Sequence, residues 1–126
     1  MKTFLLAIAA TVFMLCGTCF YIHYLNEATR TLDESAKKIE LFSEKKDWDS
    51  CKKEVKFLEK NWQKQNDILC AFTDHAELDE IKKTINELSE SVQFKDFEET
   101  HLHAKKLRIL TDRMRENEYP TLKNIL

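Results

Sequence analysis

From Phe4 to Leu25 the chain is apolar apart from a few threonines, one glycine and His23. Beyond Leu25, apolar positions recur at spacings of three and four on a charged background. That spacing places one apolar stripe on one face of a helix. The first stripe, Leu25, Ala28, Leu32, Ile39 and Phe42, meets no helix breaker before Ser43, so it predicts a helix continuous with the apolar run. Ser43-Glu44-Lys45-Lys46 then makes the first connection, and Asp47 is placed as an N-cap. The second stripe is Trp48, Cys51, Val55, Leu58, Trp62, Leu69 and Phe72, interrupted by Gln65. Its two tryptophans are large apolar loads that other helices must cover, so the stretch from Asp47 to His75 reads as the centre of a bundle with Trp48 and Trp62 as core anchors. Asp74 caps a third helix, with Glu77 three residues on completing a capping box and Leu78, Ile81, Ile85, Leu88 and Val92 as the stripe. A fourth starts at Asp96, again with an acid, Glu99, three residues later. Its stripe is Phe97, Ala104, Leu107 and Met114, with Thr100 and Thr111 between. Pro120 is expected to stop it, leaving Thr121 to Leu126 as an apolar tail that docks back.

The fold class that follows is all-α: an N-terminal transmembrane helix and an antiparallel bundle of about four helices, built as two helical hairpins. Phe4 to Leu25 supplies 22 residues, enough helix to cross about 30 Å of hydrocarbon, and Tyr21 and Tyr24 fall where interfacial aromatics belong. Residues 1–25 therefore form a membrane anchor and 26–126 a helical domain. A cleaved signal peptide is the competing reading, under which the domain is secreted. Its apolar core is usually shorter and followed by small residues, whereas this run ends in Cys19-Phe20-Tyr21-Ile22. The positive-inside tendency puts Lys2 in the cytoplasm and the domain outside, in a single-pass cell-membrane protein.

A weak internal repeat runs at an offset of 49 residues. Lys46-Asp47-Trp48 falls on Lys95-Asp96-Phe97, Val55 and Leu58 fall on Ala104 and Leu107, and Leu32, Ala36 and Ile39 fall on Ile81, Ile85 and Leu88. Any two helical hairpins of equal length share the apolar register, so the Lys-Asp-aromatic turn is the informative part. Two hairpins suit a four-helix bundle or a pair of stacked repeats equally.

Composition removes several function classes. Gly17 and Pro120 are the sole glycine and proline, which leaves no glycine-rich loop to cradle a phosphate. Lys2 is the one basic residue of 20 before residue 26, so 19 basic residues face 22 acidic ones in the domain. Lys52, Lys53, Lys56 and Lys60 alternate with Glu54 and Glu59, a solvated face and not a nucleic-acid footprint. Cys16 and Cys19 lie in the span, while Cys51 and Cys70 share one predicted helix about 28 Å apart, too far for a disulfide. Cys51, on the core stripe, reads as shielded. Glu98-x-x-His101 has the form of half a di-iron motif, but such sites need two copies and two more carboxylates, so His101 and His103 read as surface histidines and no metal or cofactor is expected. Asp74-His75 has the form of an acid-base pair, yet no nucleophile has an evident place beside it. Asp74, His75 and Glu77 remain a candidate interaction or structural turn.

With these residues in place, the chain resembles a bacterial family catalogued as domain of unknown function 4363. The resemblance rests on the hydrophobic span, Asp47 and Trp48, Trp62, Asp74 with His75 and Glu77, and the ending Asn124-Ile125-Leu126. Phe72-Thr73, where aliphatic residues are expected, and the cysteines depart from it. It implies short membrane-anchored helical proteins, found chiefly in endospore-forming and related bacteria, and no activity. The expected role is a non-catalytic interaction or accessory module at the cell envelope, with an envelope protein as partner. Two rivals from other classes are an extracytoplasmic small-ligand sensor and an enzyme. The enzyme requires Asp74, His75, Glu77, Glu98 and His101 to converge in one pocket.

Overall fold

The computed structural model describes residues 1–125, with side chains as far as Asn117. Helices α1 (Lys2–Glu44), α2 (Trp48–Leu69), α3 (His75–Gln93) and α4 (Phe97–Ile125) make up the described chain. Each packs against two others in the cyclic order α1, α2, α3, α4 and back to α1, with no diagonal pair among the described residues. The result is a closed four-helix bundle, so the stacked-repeat arrangement does not occur. No helix is central either, and the expectation that α2 forms the centre is corrected: a ring of four buries one face of each.

Helix α1 is a single unbroken element of 43 residues, about 65 Å long at the standard rise. Residues 1–20 are exposed, and burial starts at Tyr21 and is complete at Leu25, 1% exposed. An 18-residue window of this helix has a mean hydropathy of 2.2 and none of it is buried in the protein. Among the described residues it is the one helix long and apolar enough to cross a membrane. Leu25, Ala28, Leu32, Ala36 and Ile39 then supply its share of the core.

The two outer turns are built alike. Lys46 N–H donates to Ser43 O (3.0 Å) and Asp47 N–H to Phe42 O (2.9 Å); 49 residues later Lys95 donates to Val92 O (3.1 Å) and Asp96 to Ser91 O (3.0 Å). These paired bonds define a Schellman motif, which needs a left-handed residue just past the helix. Lys46 (φ 57°) and Lys95 (φ 55°) take that position where glycine is usual, at a cost of about 1 kcal/mol each. Asp47 and Asp96 then cap the next helices, accepting from Ser50 N–H and Glu99 N–H. The Ser50 hydroxyl also donates to Asp47 (2.7 Å), and these two bonds hold the Asp47 carboxyl below its ordinary pKa. Register follows the turns: Ser35 with Thr84, Cys51 with Thr100, Trp62 with Thr111 and Gln65 with Met114 are all buried pairs at the offset of 49.

Polar residues on the stripes are accommodated locally. Thr29, Thr84 and Thr111 donate their hydroxyls to the carbonyls of Leu25, Glu80 and Leu107 four residues back, and buried Thr100 donates to Ser91 Oγ. A buried hydroxyl satisfied on its own helix costs little. Four stripe residues differ from expectation, the first being Phe42, which is half-buried at the end of α1 and packs against the edge of the core. Phe72 is 66% exposed because α2 ends at Leu69 and the helical register ends with it. Phe97 (43% exposed) and half-buried Trp48 open their helices at the end of the bundle, where neighbours run out. Of the two expected anchors, Trp62 is buried and Trp48 only packs against the core's edge. Finally, α4 runs to Ile125 and is not stopped at Pro120. Proline inside a helix is a penalty of about 3 kcal/mol and not a prohibition. The expected docking of the last residues lies outside the described side chains.

Candidate functional site

The α2–α3 turn begins where Cys70 N–H donates to Asn66 O (2.9 Å) and closes when Thr73 N–H donates to Leu69 O (2.8 Å). Thr73 is 5% exposed, and its hydroxyl is 3.0 Å from the Tyr21 hydroxyl. The Tyr21 and Phe72 rings sit 5.2 Å apart, so the turn is fastened to α1 by a hydrogen bond and an aromatic contact. Asp74 accepts from Ala76 N–H at 3.1 Å, which satisfies one of the unpaired donors of the α3 start. Glu77 does not complete a capping box: its carboxylate takes a hydrogen bond from the Asn117 amide of α4. Position three of a helix allows either direction, and a tertiary partner captured the side chain here. The turn thus ties α1, α3 and α4 together at one end of the bundle. Asp74 and His75 face solvent, and the neighbouring Thr73 hydroxyl is buried and paired with that of Tyr21.

The other sequence candidates lie at the opposite end. Glu98 is exposed on the first turn of α4, and His101 stacks on Phe97 with ring centroids 5.9 Å apart. The 19 residues of α3 separate this end from Asp74 by about 28 Å. The five residues proposed for a catalytic constellation are therefore not brought together. His101 and His103 are half-buried, which corrects their reading as surface histidines. His103 stands between two carboxylates, its Nδ1 3.2 Å from Glu87 and its Nε2 3.1 Å from Glu99. With Glu90 and Asp96 these residues border an open depression of about 300 Å³ on the α3–α4 face. The four carboxylates bordering this depression attract cationic groups, but among the described residues no three histidine, cysteine or acidic side chains are placed to hold a metal ion. The i,i+4 spacing of Glu99 and His103 is a signal for half of this cluster, one passed over in taking Glu99 as the acid of a helix start and His103 as a surface histidine. Glu87 belongs to α3 and carried no such signal.

Residues 19–125 match the family described as Domain of unknown function (DUF4363). The chain belongs to that family. Comparison with curated proteins and with solved structures finds no match. In this DUF4363 domain, the matched region starts within the exposed apolar half of α1, two residues before Tyr21, and takes in every contact of the turn.

A cap leaves a distinct mutational signature. Asp74→Ala is expected to lower stability by about 0.5–2 kcal/mol, and Asp74→Asn or Asp74→Ser to cost little, because each keeps an oxygen for the Ala76 N–H. His75→Ala should leave stability near wild type. Urea titrations of the four variants check this, and equal losses in Asp74→Ala and Asp74→Asn would show that charge matters there and not the cap.

Proposed function

We propose that this DUF4363 protein is a single-pass membrane protein whose apolar N-terminal segment is retained as an anchor, holding the bundle outside the cytoplasm as a non-catalytic interaction or accessory module of the cell envelope. The observation that carries the anchor is the continuity of α1. The exposed apolar segment and the buried stripe of Leu25, Ala28 and Leu32 belong to one helix without a break. A signal peptidase needs an accessible stretch after its apolar core, and here that stretch is helical and Tyr21 is already packed against Phe72. The interaction reading is supported by the dispersal of the acid, base and imidazole candidates to the two ends of the bundle.

Two measurements, on the purified protein and on intact expressing cells, test the anchor and its orientation. Intact mass of the purified protein is expected to retain the N-terminal segment, and a cysteine at Asn124, in a background without native cysteines, should react with an impermeant thiol reagent from outside. A mature chain starting near residue 20 would make this a secreted domain. Labelling only after permeabilisation would invert the topology. Crosslinking in cells followed by purification should recover the chain joined to another envelope protein, and recovery of the monomer alone would count against the interaction role.

A further inference from the structure

The two ends of the bundle differ in chemistry. At the outer end the connections read Glu44-Lys45-Lys46-Asp47 and Phe94-Lys95-Asp96-Phe97-Glu98-Glu99, so the exposed Phe94 and Phe97 stand among charged residues. At the other end the run Ile68-Leu69-Cys70-Ala71-Phe72-Thr73 has no charge, and it is the longest uncharged run after residue 26. Ile68 is 41% exposed, Phe72 is 66% exposed and Ala71 is exposed, so this turn presents apolar surface outward.

The position of that surface relative to a bilayer follows from α1. The apolar run from Phe4 to Phe20 is exposed helix, about 26 Å at the standard rise, so a hydrocarbon core of roughly 30 Å ends within the next turn. The polar boundary of a membrane crossed by α1 therefore falls near Tyr21, and Phe72 is held against Tyr21 with ring centroids 5.2 Å apart. Phe20 and Tyr24 stack at the same level, 6.3 Å apart. Aromatic side chains at this depth are characteristic of the membrane interface.

We propose that the α2–α3 turn is a second lipid contact, with Phe72, flanked by Ile68 and Ala71, seated in the bilayer interface beside the anchor. The proposal rests on the anchor being retained. Asp67 and Asp74 border the turn on either side and keep their carboxylates among the headgroups, which limits insertion to the interfacial zone. Because the Tyr21–Thr73 hydrogen bond ties the turn to α1, the contact also sets the tilt of the bundle on the membrane.

Full-length protein is reconstituted into phosphatidylcholine vesicles with and without lipids brominated on the upper acyl chain, as wild type, Phe72→Trp and Phe94→Trp. Phe94, 72% exposed at the outer end, is a matched control, and emission from Trp48 and Trp62 is subtracted using the wild type. The expected result is blue-shifted emission from the tryptophan at 72, lost in brominated vesicles, with the tryptophan at 94 unaffected. Vesicle flotation and helical circular dichroism of each variant establish insertion and folding. If the protein floats with vesicles and the probe at 72 is not quenched, the second contact is wrong while the anchor stands. Equal quenching at 72 and 94 also overturns it, since the bundle then lies along the surface. Failure of the folded wild type to float removes the anchor and the contact together.

Discussion

Trp62→Ala is expected to lower the free energy of unfolding by about 3–5 kcal/mol, the largest loss from any single side chain considered. Trp62 is 4% exposed and stands on the stripe of α2 between Leu58 and Gln65, where its removal leaves a cavity the size of an indole in a bundle of about 100 residues. A domain of that size has a total stability of roughly 5–15 kcal/mol, so the variant should be partly unfolded at 37 °C. Trp48→Ala should cost much less, because that ring is only half-buried at the edge of the core. Trp62→Phe separates packing from polarity. The indole Nε1 has no acceptor among the described side chains, so phenylalanine keeps much of the apolar contact and removes an unpaired donor. Urea denaturation followed by circular dichroism should rank the variants Trp62→Ala far below Trp48→Ala, with Trp62→Phe the milder change at its site. Equal losses at the two tryptophans would contradict the burial described.

The second large effect concerns thiol chemistry. Cys51 is fully buried on the inner face of α2 with its Sγ directed at Ile39 O (3.7 Å), and burial, aided by the nearby Asp47 charge, pushes its pKa up from 9.0 to about 11. The thiolate is the reactive form, so a rise of two units reduces it about 100-fold at neutral pH before any steric protection is counted. In the native protein Cys51 should therefore react with a soluble thiol reagent at least about 100-fold more slowly than it does in the unfolded chain, and more slowly than partly exposed Cys70. Denaturant should bring the two rates together. The same shift gives a pH dependence. The folded state holds the neutral thiol, so this contribution to stability is complete below pH 9 and is lost as pH rises through the interval from 9 to about 11. Cys51→Ala should flatten that alkaline decline, and a decline left unchanged would assign it to other groups. Mass-resolved labelling of the two peptides against time measures the rates.

Much of the fold was legible in the chain because it is written in local patterns. The spacing of Leu78, Ile81, Ile85, Leu88 and Val92 on a charged background dictates an amphipathic helix whatever packs against it, and all five are buried. Asp47, Asp74 and Asp96 announced helix starts because a helix leaves donors that a short acceptor satisfies within two or three residues. The apolar run announced itself by length and composition. Even the offset of 49 residues held beyond the turns that suggested it, since equal helices and equal turns carry equal registers.

What the sequence could not supply were contacts between residues far apart in the chain. Glu77 had a local partner in Asp74 and took Asn117 instead, 40 residues on, because α4 passes beside the start of α3. Arg108 reaches Asp33 and Glu40 on α1, both at 3.4 Å, a pairing that exists only because the ring closes. His103 bridges Glu99 and Glu87, of which one is a helical neighbour and the other a matter of packing. Phe72 shows the division most clearly: its spacing assigned it to the core, while the end of α2 three residues earlier turned it outward against Tyr21. Periodicity and capping depend on chemistry within four residues and so are fixed by sequence alone. Which helix faces which, and what a side chain at the edge of the bundle touches, depends on how four amphipathic faces close on one another, and only the tertiary structure decided that.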